Sequence, residues 1–152
     1  MGEPYHLIED KCSRAFKAAI ETALDGDLTG WSVYQMLQDS SVMHPMIGVR
    51  VDEASIPADR SGNYAALVEV AVVSKITETT TAAHNTIVAK VRDFLVGCMD
   101  DLPASVNAEA ITDFNVIGWN PESVTTEVDD DDNAEFRISS CSGTCLCMPS
   151  TP

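Results

Sequence analysis

Basic residues are scarce in this chain: nine lysines and arginines stand against twenty-four aspartates and glutamates, for a net charge of −15. None of the nine lies between Asp93 and Phe136, a stretch that carries twelve of the acids. Such a field repels phosphate backbones and disfavours the gripping of nucleic acid. Long apolar runs are lacking too. No 18 consecutive apolar residues occur, so no membrane-crossing helix and no membrane partner are expected. The opening Met1-Gly2-Glu3-Pro4-Tyr5-His6 has neither the basic nor the apolar segment of a secretory signal, which predicts a soluble protein of a reducing compartment. The five cysteines are an odd number, and Cys12 and Cys98 fall in predicted helices, against a secreted disulfide framework.

Catalytic signatures are missing as well. There is no glycine-rich phosphate loop, no G-x-S-x-G elbow and no H-E-x-x-H pair, and His6, His44 and His84 are widely separated. No enzyme is expected, although a Ser–His or Cys–His pair needs to be close only in space. Cys141, Cys145 and Cys147 are spaced x3 and x1 with no second ligand pair, unlike ordinary zinc sites. They read as small, half-buried hydrophobes of a C-terminal strand, with no metal and no cofactor. The run Asp129–Asp132 fails as an EF-hand: counted from Asp129, Ala134 stands where the loop needs glycine and Ser140 where it needs a bidentate glutamate. A solvated hairpin tip is the better reading.

What is present is a clear succession of elements. After Pro4, the apolar residues Leu7, Ile8, Cys12, Ala15, Phe16, Ala19, Ile20, Ala23 and Leu24 follow helical spacing, and Gly26 supplies the stop. Lys11, Arg14 and Lys17 sit off that stripe, either solvated or facing an acidic neighbouring subunit. Trp31, Val33 and Tyr34 begin a short extended segment, and Met46–Val51 reads as a strand. The turn-rich stretch 52–62 predicts a loop. Tyr64–Ile76 is long and strongly β-forming, with too little alternation to leave a bare face, so both faces are expected to be largely covered. A second helix follows, capped by Thr79, Thr80 or Thr81, with Ile87, Val91, Phe94 and Leu95 as its core stripe alongside Val88 and Cys98. Asp100-Asp101 and Pro103 end it. Thr112–Trp119 predicts a strand, Pro121–Asn133 a polar loop, and Glu135–Cys147 the last strand. The class is α+β: a mixed, mainly antiparallel sheet with an N-terminal helix and a second amphipathic helix packed on it. The 152 residues suit a single domain, ordered from about 5 to 147 with a short C-terminal tail.

The order of these elements, with particular residues, resembles a known family. The strand Pro45-Met-Ile-Gly-Val-Arg50-Val is followed by a loop with Pro57 and Gly62-Asn63-Tyr64. A valine-rich strand then ends in Val73-Ser74-Lys75 and runs into Thr79-Thr-Thr-Ala-Ala-His84 and the helix through Arg92-Asp-Phe-Leu. With the first helix, the late Phe114–Gly118 strand and the final small-residue strand, this is similar to the tail-terminator and tail-completion proteins of long-tailed bacteriophages. The likeness runs from about Tyr5 to Cys147; the cysteine cluster and the four aspartates depart from it.

The resemblance implies a structural virion protein, assembled in the host cytoplasm. It implies a hexameric ring that caps the tail tube and meets the head-to-tail connector, with a neck connector protein as the neighbouring reading. DNA would pass through such a ring without specific binding. An acidic lining leaves DNA a hydrated gap, whereas lysines and arginines would hold its phosphates. Asp100, Asp101, Asp129, Asp130, Asp131 and Asp132 are the candidates for that lining.

Overall fold

A computed structural model describes residues 5–35, 45–55, 64–97, 102–109, 114–128 and 136–148. Its centre is a five-stranded sheet built from β1 (Ser32–Gln35), β2 (Met46–Ser55), β3 (Tyr64–Lys75), β4 (Asn115–Val128) and β5 (Phe136–Met148), in the order β1-β2-β3-β5-β4. Only β1 and β2 run parallel; the other pairings are antiparallel. Three α-helices, α1 (Tyr5–Ala23), α2 (Thr81–Arg92) and α3 (Leu102–Asn107), complete the α+β fold expected from the sequence. Helix α1 crosses β1, β2 and β3, α2 lies on β3 and β5, and α3 reaches β4 and α1.

Most of the helical stripe read from α1 goes into the core; Ala23 is exposed, and the side chains of Leu7 and Ile8 lie outside the described residues. Cys12, Ala15, Phe16, Ala19, Ile20 and Leu24 are buried, and a ring or branched chain of that size contributes roughly 1.5–3 kcal/mol by leaving water. Gly26, at φ +87°, takes the left-handed conformation that turns the chain away. Gln35 ends β1 and fixes it to α1: its Nε2 donates to Asp10 Oδ1 at 3.0 Å and to Ser13 Oγ at 2.8 Å.

Burial along β3 alternates residue by residue from Tyr64 to Lys75. Tyr64, Ala66, Val68, Val70, Val72 and Ser74 face the helices, while Ala65, Leu67, Glu69, Ala71, Val73 and Lys75 are only half-buried. This corrects the expectation of two covered faces. The run Leu67–Val73 lacks hydropathic alternation because small and apolar residues occupy the open side as well. The described parts of two segments predicted as loops, 52–55 and 121–128, are strand, and the rest of each lies outside the described residues. β2 continues to Ser55 through a bulge between Val51 and Glu53, and β4 takes in Pro121 through a bulge between Pro121 and Ser123. β4 is the sheet's edge, where a proline's missing N–H disturbs no second neighbour.

Thr80 is the cap of α2: its hydroxyl accepts from Ala83 N at 3.1 Å. The helix then widens into a π-helical turn, Asp93–Gly97. A wider turn advances each residue by a smaller angle, so Leu95 falls into line with Val91 while Phe94 moves to the flank. Ile87, Val91 and Leu95 are buried; Phe94 only packs partly against the core. Leu95→Ala is therefore expected to cost about 2–5 kcal/mol in reversible denaturant unfolding, and Phe94→Ala clearly less. Equal losses would contradict this placement.

Pro103 does not simply end the preceding helix. It lies in the first turn of α3, where proline is tolerated. Asn107, at the end of α3, then holds the β4 edge. Its Nδ2 donates to Val116 O at 2.9 Å and its Oδ1 accepts from Val116 N at 2.7 Å.

Candidate functional site

The inner face of the sheet carries one line of buried polar groups. His84, in the first turn of α2, is fully buried between two serines. Its Nδ1 lies 2.7 Å from Ser74 Oγ on β3, and its Nε2 lies 2.9 Å from Ser139 Oγ on β5. Strand register sets this up: Ser74 stands opposite Arg137 and Ser139 opposite Val72, so both hydroxyls rise on the helix side of adjacent strands. A neutral imidazole has one donor and one acceptor, and a serine hydroxyl matches either. Burial, and then the positive charge of Arg137, push the His84 pKa below its ordinary value. Arg137 itself donates to Thr79 O at 2.6 Å, just before the helix cap. The Trp31 ring packs 6.5 Å from the imidazole. A serine beside a histidine is the arrangement of a nucleophile and its base, but neither Ser74 nor Ser139 reaches solvent. The geometry pins α2 to two strands and gives a substrate no access.

The cysteines share that inner face. Cys141, Cys145 and Cys147 alternate inward along β5 and are fully buried rather than half-buried. Cys12 of α1 belongs to the same buried core cluster; the neighbouring thiols of Cys145 and Cys147, ahead of burial, push the Cys12 thiol well up. Among the described residues, no group of three histidine, cysteine or acidic side chains is arranged to hold a metal ion. Cys98 lies outside the described residues.

The open face of the sheet differs in character. Arg50 and Glu69 stand opposite each other there at 3.5 Å, and a strip of hydroxyls follows β5. Ser142 Oγ lies 3.0 Å from Ser123 Oγ, and Thr144 Oγ1 donates to Glu122 Oε1 at 2.7 Å. Leu67, Ala71, Val73 and Leu146 are half-buried on this side, and Ile138 is 37% exposed. Ile117, in a second irregularity of β4 between Val116 and Gly118, is 43% exposed. No helix among the described residues crosses this face, and none is long and apolar enough to span a membrane.

The six aspartates proposed as a channel lining, Asp100, Asp101 and Asp129 to Asp132, lie outside the described residues. Of the basic side chains of α1, Arg14 pairs with Asp10 one turn away. Lys90 of α2 reaches Asp27 at 3.4 Å, joining the helix to the turn after α1. Beside that turn, Glu21, Asp25, Leu28, Trp31 and Val33 line an open groove of about 630 Å³. Sequence separation alone gave His84 no partner, and Ser74 and Ser139 no shared role. The one available signal was Ser74, a serine near the end of an apolar, strand-forming run.

The sequence matches no protein-family model and no curated protein. Its fold matches a chain in a solved structure of the virion of the native gene transfer agent particle, with a TM-score of 0.60 and 16% sequence identity. The match covers 88% of this chain and 95% of the other, so what is shared is a whole fold.

Proposed function

We propose that this protein is a structural component of a phage-like virion: a ring-forming tail terminator that caps the tail tube and meets the head-to-tail connector. The carrying observation is the fold shared, nearly end to end, with a chain of a gene transfer agent virion. The open sheet face adds to it. A ring subunit must offer one surface to a different surface of its neighbour. A sheet whose described helices lie on one side, with Leu67, Val73, Ile138 and Leu146 on the other, has such a surface to offer. The sealed Ser74–His84–Ser139 line favours a structural role over a catalytic one.

Light scattering and negative-stain images of the purified protein, with its position in producing particles, test the proposal. The expected result is a closed ring of about six subunits, located between tail tube and connector. A monomer at tens of micromolar that is absent from purified particles would overturn it, and a position on the head side of that junction would make it a neck connector instead. The acidic bias adds a finer expectation. In a resolved ring, acids should outnumber bases more strongly on the inner wall than on the outer rim, because a negative wall lets DNA pass without bonds to break. A neutral or basic inner wall would refute that lining.

A further inference from the structure

We propose that the outer edge of β4, from Ser123 to Val128, is the seam at which the next copy of this chain joins, its β1 edge continuing the sheet from one subunit into the next. This rests on the ring reading and names the joint within it. Two hydrogen bonds fix which backbone groups of β4 point outward. Val116 N donates to Asn107 Oδ1 at 2.7 Å, and Val116 O accepts from Asn107 Nδ2 at 2.9 Å. Both groups of Val116 therefore turn away from β5, although Val116 stands opposite Cys147. In an antiparallel ladder successive residues turn their backbone groups to alternate sides. β5 runs in unbroken register along β3, so its alternation carries past both irregularities of β4. The β4 residues opposite Cys145, Gly143, Cys141, Ser139 and Arg137 point the same way as Val116: Trp119, Pro121, Val124, Thr126 and Val128. Pro121 agrees with this, because its nitrogen, which bears no hydrogen, falls on the outward side.

The edge is blunted along only part of its length. From Val116 to Ser123 it carries the Asn107 amide, a proline and two register shifts, the devices by which sheet edges refuse another strand. From Ser123 to Val128 the ladder with β5 is regular and holds no proline. Val124, Thr126 and Val128 turn their N–H and C=O groups outward there, and among the described strands β4 has β5 alone as a neighbour. Asn107 and the bulge after Pro121 thus mark where an added strand must stop.

The opposite edge of the sheet, β1, supplies the complement. Ser32 N donates to Pro45 O across the parallel pairing with β2, so Val33, the next residue, turns its backbone groups outward. Charge separates the two edges. β4 belongs to the base-free stretch with twelve acids, and Glu122 is exposed beside its edge. At β1, Gln35 bonds to Asp10 and Ser13 of α1, in the part of that helix that carries Lys11, Arg14 and Lys17. Two copies joined β4 to β4 would set acids against acids, whereas β4 against β1 sets them beside those basic residues. The edges also differ in length, 14 residues against 4, and unlike surfaces joined head to tail generate rings rather than two-fold pairs.

Hydrogen exchange read by mass spectrometry, with fragmentation to single amides, compares the assembled wild-type protein with its dilute monomer. In the assembly the Val33, Val124, Thr126 and Val128 amides are expected to exchange at least about tenfold more slowly, as ladder amides do. Thr126→Pro removes one outward N–H and none of the bonds to β5. It should keep the monomer's thermal midpoint within a few degrees and weaken assembly by about tenfold or more. Thr125→Pro, one residue away, should instead damage the fold itself. An assembly in which these amides exchange as fast as in the monomer would overturn the seam and leave the ring standing. So would protection of β4 without protection of Val33, which means a different strand on that edge, or a Thr126→Pro protein that assembles like the wild type. A wild-type protein that never assembles would overturn the ring reading and the seam with it. If Thr126→Pro does not fold, the exchange comparison on the wild type decides alone.

Discussion

Gly143→Ala is expected to destabilise the protein by about 3 kcal/mol, a large loss for a single methyl group. A Cβ at this position would stand 2.6 and 2.7 Å from two ring carbons of Trp119 and 2.8 Å from the Asn120 carbonyl oxygen. Neither neighbour has room to yield. The Trp119 indole donates from Nε1 to Leu95 O at 2.7 Å, inside the π-helical turn, and packs on the Phe16 ring at 5.3 Å between centroids. Asn120 O belongs to the strand backbone, in the rung beside Gly143. One indole thus holds together α1, the end of α2, β4 and β5. Trp119→Ala should itself cost about 3–5 kcal/mol. The decisive measurement is the double mutant by denaturant unfolding. With the ring gone, Gly143→Ala should cost at least about 1 kcal/mol less than it does alone. Additivity within about 0.5 kcal/mol would mean that the ring is not the obstacle.

Removal of His84 should cost a comparable amount, about 4 kcal/mol for His84→Ala. The loss combines a cavity and the lost contact to Ser139 with the buried Ser74 hydroxyl deprived of the imidazole, at about 1–3 kcal/mol for a group left unsatisfied. The same contacts give a pH dependence whose sign is fixed. Burial first, and the Arg137 charge second, lower the His84 pKa in the folded state, while the unfolded chain titrates near 6.5. As pH falls below about 6.5 the unfolded state takes up a proton that the folded state refuses. The stability present above that pH is then lost on the way down towards the folded pKa, with a slope of at most about 1.4 kcal/mol per pH unit. The window from pH 6.5 to 5 is the one to read, since below it carboxylates protonate and the −15 charge relaxes. A His84→Asn variant should lose most of that slope. An unchanged slope would assign it to other groups.

The sequence carried the core of α1 well. Its stripe from Cys12 to Leu24 repeats every three or four residues, and local periodicity is enough to say which side of a helix seeks the interior. The Phe94 position shows where that logic ends. A strict α-helical count puts Phe94 and Leu95 equally in the stripe, but the π-helical turn rotates one in and the other out. β4 shows a second limit. Pro121 and the polar residues after it read as loop, yet an edge strand next to β5 accommodates them through a bulge. That position in the sheet depends on the return of β5 between β3 and β4, which no local pattern reports.

Composition and periodicity alone determined the acidic field, the α+β class, the helical core stripe and the absence of recognisable catalytic motifs, because these depend on residue identities and short-range spacing. Only the tertiary structure decided what the isolated polar and sulfur groups do. His84 lies 10 residues from Ser74 and 55 from Ser139, and β3–β5 register with the seat of α2 is what brings them to hydrogen-bonding distance. Cys12, Cys145 and Cys147, from opposite ends of the chain, belong to one buried core because α1 lies across the sheet. The open face was hidden for the same reason. Small and apolar residues line both sides of β3, so only the placement of the described helices on one side shows which face they leave open.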